Sequence, residues 1–112
     1  MAEKNLLVII KSQPFTKLNY YEALRVGVGL WDHEVTILWR GEGVYATLKN
    51  ADRTLTGQFF KELPGLDTEL LVDEEDLAVR GFTSDDLVEG IQPVGKNVIR
   101  GFIEKSETSL VF

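Results

Sequence analysis

Residues 68–79 read TELLVDEEDLAV, and the change of character inside this stretch decides the fold. An apolar run of strand length, TELLV, passes with no linker into Asp73, Glu74, Glu75 and Asp76, and then into Leu77-Ala78-Val79. Carboxylates in the first turn of a helix stabilise its exposed N–H groups and its macrodipole. The stretch therefore reads as a strand that ends where a helix begins, with Asp73 at the junction. The helix, from Asp73 to Val79, is closed by Gly81, and a second one from Ser84 to Glu89 is closed by Gly90. Thr83 followed three residues later by Asp86 has the form of a capping box for that second helix.

The same alternation extends in both directions. LLVII, within residues 4–11, is a continuous apolar run with β-branched residues, as in a strand buried on both faces. A loop, SQPFTKL, follows, because Pro14 restrains its neighbourhood and lacks a donor. Asn19 with Glu22 caps an expected helix from Tyr20 to about Leu30, which buries Ala23, Leu24, Gly27 and Val28. Gly27 and Gly29 lower helix propensity there and suggest close approach to a sheet or another subunit. HEVTILWR is a second strand, RGEG a turn, and VYATLKNA and LTGQFFKEL short helical segments, the latter stopped by Pro64-Gly65. IQPV is a fourth strand, Val98 to Lys105 a helix, and SLVF a last strand. The expectation is an α/β protein of one domain, residues 1–112, in three layers α/β/α. Its mainly parallel five-stranded sheet would use residues near 5–11, 34–40, 68–73, 91–95 and 108–112.

Composition narrows the chemistry. The 112 residues are 44% hydrophobic and 27% charged, as in an ordinary soluble globular domain. No apolar run approaches the roughly 20 residues that span a bilayer, and the apolar stretch of MAEKNLLVIIKSQ is too short for a signal segment. A cytoplasmic protein without a membrane partner is expected. The chain has no cysteine, which excludes disulfides, thiolate metal sites and a cysteine nucleophile. Net charge is −6, unevenly spread: residues 1–66 carry eight Lys/Arg against seven Asp/Glu, residues 67–112 four against eleven. Such an acidic half repels a phosphate backbone, so direct nucleic-acid binding is not expected and a basic protein partner is.

Tests for self-sufficient sites fail in turn. Counted from Asp73 as an EF-hand loop, the sixth position is Ala78 and the twelfth Ser84, where glycine and glutamate are needed. Glu74, Glu75 and Asp76 project around a helix and do not converge, so neither a metal nor paired acid–base carboxylates are expected. RGEG lacks the third glycine of a dinucleotide fingerprint and the spacing of a P-loop. His33, the only histidine, starts the second strand, away from the carboxyl-end face, and so cannot activate Ser12 as a nucleophile. No cofactor is implied. Ligands of parallel sheets sit outside the strands' carboxyl ends, here SQPFT, RGEGVY and DEEDL. The candidate groove or docking residues are accordingly Ser12, Pro14, Phe15, Arg40, Glu42, Gly43, Tyr45, Asp73 and Glu74.

Taken together, the strand ends resemble those of the DsrE/DsrF/TusCD-type sulfur-relay proteins, nearest to the DsrF/TusC branch. KSQPFTKLNYYEAL is similar to the family's "PYGT, then helix" opening, and LWRGEGVY to its strand followed by "DGVY", with Gly43, Val44 and Tyr45 matching. LLVDEEDLAVRGFTSDDLVEGI resembles its strand, acidic or cysteine-bearing turn and "RG-hydrophobic" helix end, and SLVF its terminus. In relatives that carry persulfide sulfur a cysteine ends the third strand, and counting back eight residues from Gly81 puts Asp73 there. Thr16 stands where a glycine is usual.

The resemblance implies a small domain that assembles with similar, DsrE-like subunits and meets a sulfur-donor or acceptor protein. Without the cysteine, it implies a non-enzymatic structural or docking subunit of a relay serving tRNA thiolation or sulfur oxidation. The alternative is a homo-oligomeric module binding a small molecule or protein, with no sulfur role. A carboxylate enzyme using Asp73 and Glu42 ranks below both. A thiol placed at position 73 is expected to be accessible.

Overall fold

Five strands lie side by side in the order β4-β3-β2-β1-β5, and all four neighbouring pairs are parallel. They are β1 (Asn5–Ile10), β2 (Glu34–Trp39), β3 (Glu69–Asp73), β4 (Ile91–Val94) and β5 (Thr108–Val111). The computed structural model describes residues 5–11, 34–49, 68–88 and 90–112. Each strand expected from the sequence is present, shorter by a residue at one end.

The continuous apolar runs make this sheet because both of its faces are covered. Leu6, Val8 and Ile10 of β1 point to one side, where they join Val35, Ile37, Trp39, Leu70 and Val72. Leu7 and Ile9 point to the other and meet Leu38 and Leu71 beneath Ile99 and Phe102. Burying each such side chain contributes about 1.5–3 kcal/mol relative to leaving it in water. Pro93 lies in β4, an edge strand, where its missing N–H interrupts no ladder on the open side.

The connections divide between the faces. The 3-10 segment η1 (Gly41–Thr47) and helix α1 (Glu74–Val79) contribute Val44, Ala46 and Leu77 to the first core, with Leu87 beyond them. Helix α2 (Lys96–Lys105) covers the second with Ile99 and Phe102. Helical elements thus flank the sheet on both sides.

Two helical expectations are corrected. VYATLKNA, described as far as Lys49, is helical only through Thr47, as the end of a 3-10 segment that begins at Gly41; the Thr47 hydroxyl donates to Val44 O at 2.7 Å. Ser84 to Glu89 likewise shrinks to a single 3-10 turn, η2 (Ser84–Asp86). One tertiary contact ends both. Leu48 and Leu87 form an antiparallel bridge, with Lys49 N–H donating to Asp86 O at 2.9 Å and Val88 N–H to Thr47 O at 2.8 Å. Backbone pairing between remote segments here prevails over local helix propensity. The capping box is present, with Thr83 N–H donating to the Asp86 carboxylate at 2.9 Å. Helix α2 starts at Lys96, ahead of the expected Val98.

The expected first helix with Asn19, Glu22, Gly27 and Gly29, together with Thr16, His33 and the LTGQFFKEL segment with Pro64-Gly65, lies outside the described residues. Among the described residues no helix is long and apolar enough to cross a membrane.

Candidate functional site

Asp73 ends β3 with extended backbone angles and serves as the N-cap of α1. Its Oδ1 accepts from Glu75 N–H at 3.0 Å and from Asp76 N–H at 3.3 Å. These are N–H groups that the first helical turn cannot satisfy itself. Its Oδ2 accepts from Arg40 Nε at 3.3 Å, at the end of the neighbouring strand β2. Both carboxylate oxygens are therefore engaged, and the residue is only 2% exposed. The next acid, Asp76, ties the same two connections together, because its Oδ2 accepts from Gly41 N–H at 2.8 Å.

Arg80 closes the far side of this cluster. Its Nη1 donates to Asp76 O at 2.9 Å and lies 4.0 Å from Asp76 Oδ1. Its guanidinium stands 5.8 Å from the centre of the Tyr45 ring, which meets Phe82 edge to face at 6.0 Å. Such cation–π and edge-to-face contacts each contribute on the order of 0.5–1 kcal/mol beyond area burial.

Gly43 lets η1 approach the end of β1. A Cβ built there would fall 2.2 Å from Ile10 O, so any side chain collides with backbone. Close by, Arg40 N–H donates to Ile10 O and Gly43 N–H to Arg40 O, each at 2.9 Å. The glycine of the RGEG turn is thus required for packing, while Gly41, at φ 52°, gives the turn its entry.

Of the residues singled out from the sequence, Arg40, Gly43, Tyr45 and Asp73 are brought into or beside one cluster at the strands' carboxyl ends. Glu42 and Glu74 are exposed at its margin, the Glu74 carboxylate lying where a Cβ on Gly95 would come within 3.2 Å. Ser12, Pro14 and Phe15 lie outside the described residues. The expected accessibility of position 73 is corrected. Its side chain turns inward to cap α1 and hold Arg40, so Glu74, Glu75, Asp85 and Asp86 form the acidic surface instead. Among the described residues no group of three or more His, Cys, Asp or Glu is placed to hold a metal ion.

Sequence reasoning missed Asp76 and Arg80. Asp76 is the last of four consecutive carboxylates, and only the fold distinguishes the one that faces Gly41. The signal for Arg80 was its isolation as the single cation of residues 67–89.

An all-parallel sheet of this order, flanked by helical elements and with the polar cluster at the carboxyl ends of β2 and β3, defines an α/β protein. The DsrE/DsrF-like family matches residues 4–112, and the chain belongs to that family. Among solved structures it is similar to the ychN protein from E. coli, at 14% identity over 99% of this chain and 100% of that one, with a TM-score of 0.85. It is also similar to the protein of unknown function MTH1491 from Methanobacterium thermoautotrophicum, at 17% identity over 96% and 97% of the two chains, with a TM-score of 0.69. At these identities the likeness speaks for the fold. No curated protein matches the chain significantly.

Proposed function

We propose that this chain is a non-enzymatic structural or docking subunit of a persulfide-transfer complex, nearest in kind to the DsrF/TusC branch and working in the cytoplasm. One observation carries the reading. The end of the third strand, where sulfur-carrying relatives place a cysteine, holds a buried carboxylate engaged by Glu75, Asp76 and Arg40. A carboxylate cannot form a persulfide, and this one is committed to holding two loops in place. The chain has no cysteine elsewhere to replace it. What it retains is a strand-end scaffold with an acidic rim of Glu74, Glu75, Asp85 and Asp86. That rim suits basic groups on a DsrE-like subunit or on a sulfur-donor or acceptor protein.

Native mass spectrometry of the protein isolated from its own cell tests the proposal. The expected result is a complex containing at least one cysteine-bearing DsrE-like chain. A homo-oligomer of this chain alone, stable and without such a partner, overturns the sulfur-relay reading and leaves a binding module of the same fold.

A further inference from the structure

Beside α2, on the sheet face that Ile99 covers and next to the start of α1, runs a groove of about 350 Å³. Among the described residues it is lined by Arg40, Lys96, Ile99, Arg100, Ile103 and Glu104. Its charge runs against that of the chain: three cations and one acid line it, in a protein of net charge −6. The cations are also available. Arg100 is exposed and has no ion-pair partner among the described residues. Arg40 uses Nε for Asp73, which leaves the terminal nitrogens of its fork, and its side chain is 34% exposed. Lys96 meets Glu75 at 3.0 Å, but those side chains are 69% and 57% exposed, and such surface pairs exchange partners at little cost.

The wall between these charges is apolar. Ile99 is buried against the sheet, whereas Ile103, one turn further along α2, is 42% exposed. A small oxyanion would satisfy the cations and leave Ile103 in water. A chain segment carrying both carboxylates and an apolar side chain satisfies both features.

We propose that this groove binds an acidic, amphipathic peptide segment of a partner protein. Its carboxylates meet Arg40, Lys96 and Arg100, and an apolar side chain covers Ile103. Guanidinium groups recognise carboxylates through paired, charge-assisted hydrogen bonds, which fixes the orientation of the segment as well as its charge. This surface is opposite in sign to the Glu74–Glu75 rim, and the proposal does not depend on a sulfur role.

The test uses the full chain and fluorescently labelled synthetic peptides, read by anisotropy at low and high salt. A peptide alternating Glu with Leu should bind, and binding should weaken as salt rises. Arg100→Glu and Ile103→Asp should each weaken it by about tenfold or more, as expected when one partner of an interfacial contact is lost. Arg100→Gln, a milder change, should give an intermediate loss and serves if the charge reversal perturbs folding. A Lys-Leu peptide should not bind. Three results overturn the proposal: no binding of the Glu-Leu peptide, unchanged binding to Arg100→Gln and Ile103→Asp, or equal binding of a Glu-Ser peptide. Full competition by inorganic phosphate, but not by chloride at the same ionic strength, would also overturn it, making the groove an oxyanion site.

Discussion

Arg40 Nε lies 3.3 Å from Asp73 Oδ2, and this contact joins the carboxyl ends of β2 and β3 across 33 positions of sequence. Its partners differ in environment. Asp73 is buried, and Arg40 reaches it from the edge of solvent. The carboxylate is held in place by the α1 N–H groups, so the geometry is set from the helix side and the arginine follows it. Without Arg40 the buried carboxylate still keeps the N–H groups of Glu75 and Asp76, whereas loss of Asp73 removes the helix cap and the arginine contact together.

That asymmetry predicts the order of three variants. Asp73→Ala removes the cap and the arginine contact together, at a cost on the order of 2 kcal/mol: about 1 for the cap, the rest for a charge-assisted bond discounted for Arg40's exposure. Asp73→Asn keeps the cap, because asparagine caps about as well, and should cost less than half as much. Arg40→Gln should fall between them. Urea denaturation measures all three; an Asn variant as unstable as the Ala variant would sink this account.

Asp73→Cys places a thiol at the strand end to which the proposed function assigns the sulfur-carrying cysteine of relatives. A cysteine in the observed backbone is nearly as hidden as the 2% exposed aspartate, and it loses the acceptor that caps α1. Alkylation should be at least about tenfold slower than for a free cysteine, since reactivity follows access and thiolate content, and persulfide loading should be poor. Alkylation as fast as that of a free cysteine would show that the strand end opens readily and would contradict the buried placement of position 73.

Gly43 and Gly101 should respond to alanine in opposite directions. At Gly43 the new Cβ meets Ile10 O at 2.2 Å and must displace either η1 or the end of β1. Overpacking of this kind costs typically 1–3 kcal/mol and more where backbone must move. At Gly101, within α2, nothing lies within 4 Å, and the helix should gain about 0.5–1 kcal/mol. Melting temperatures of the two single variants decide it. A tolerated Gly43→Ala would contradict the packing of η1 described above.

Asp76 is predicted to matter through Gly41. Its carboxylate accepts from the Gly41 N–H at 2.8 Å, and Asp76→Ala leaves that donor to solvent at the edge of the cluster, at a cost of about 1 kcal/mol. Asp76→Asn retains an acceptor oxygen and should cost less. Hydrogen exchange gives the sharper readout: the Gly41 amide should lose protection in the Ala variant and keep most of it in the Asn variant. Equal protection in both would mean that this bond does not hold the entry of η1.

Five strands, their order along the chain and the helix ends at Gly81 and Lys105 were legible because each depends on residues near one another in sequence. A run such as LLVII is apolar at every position only where both faces are covered, and a strand that leads straight into Asp-Glu-Glu-Asp must turn into a helix front. The acidic stretch accordingly resolved into caps and helix-front charges. The ends of η1 and η2 were not legible, since the Leu48–Leu87 bridge that stops them joins segments whose meeting no local pattern encodes. Nor was the burial of Asp73. A carboxylate at a strand end reads the same whether it faces water or an arginine 33 residues away. The spatial order β4-β3-β2-β1-β5, the collision that reserves position 43 for glycine, and the gathering of Arg40, Lys96 and Arg100 around one groove were decided only by the tertiary structure. Sequence sets the period and propensity of each element, but which charges share a surface depends on how the finished elements pack.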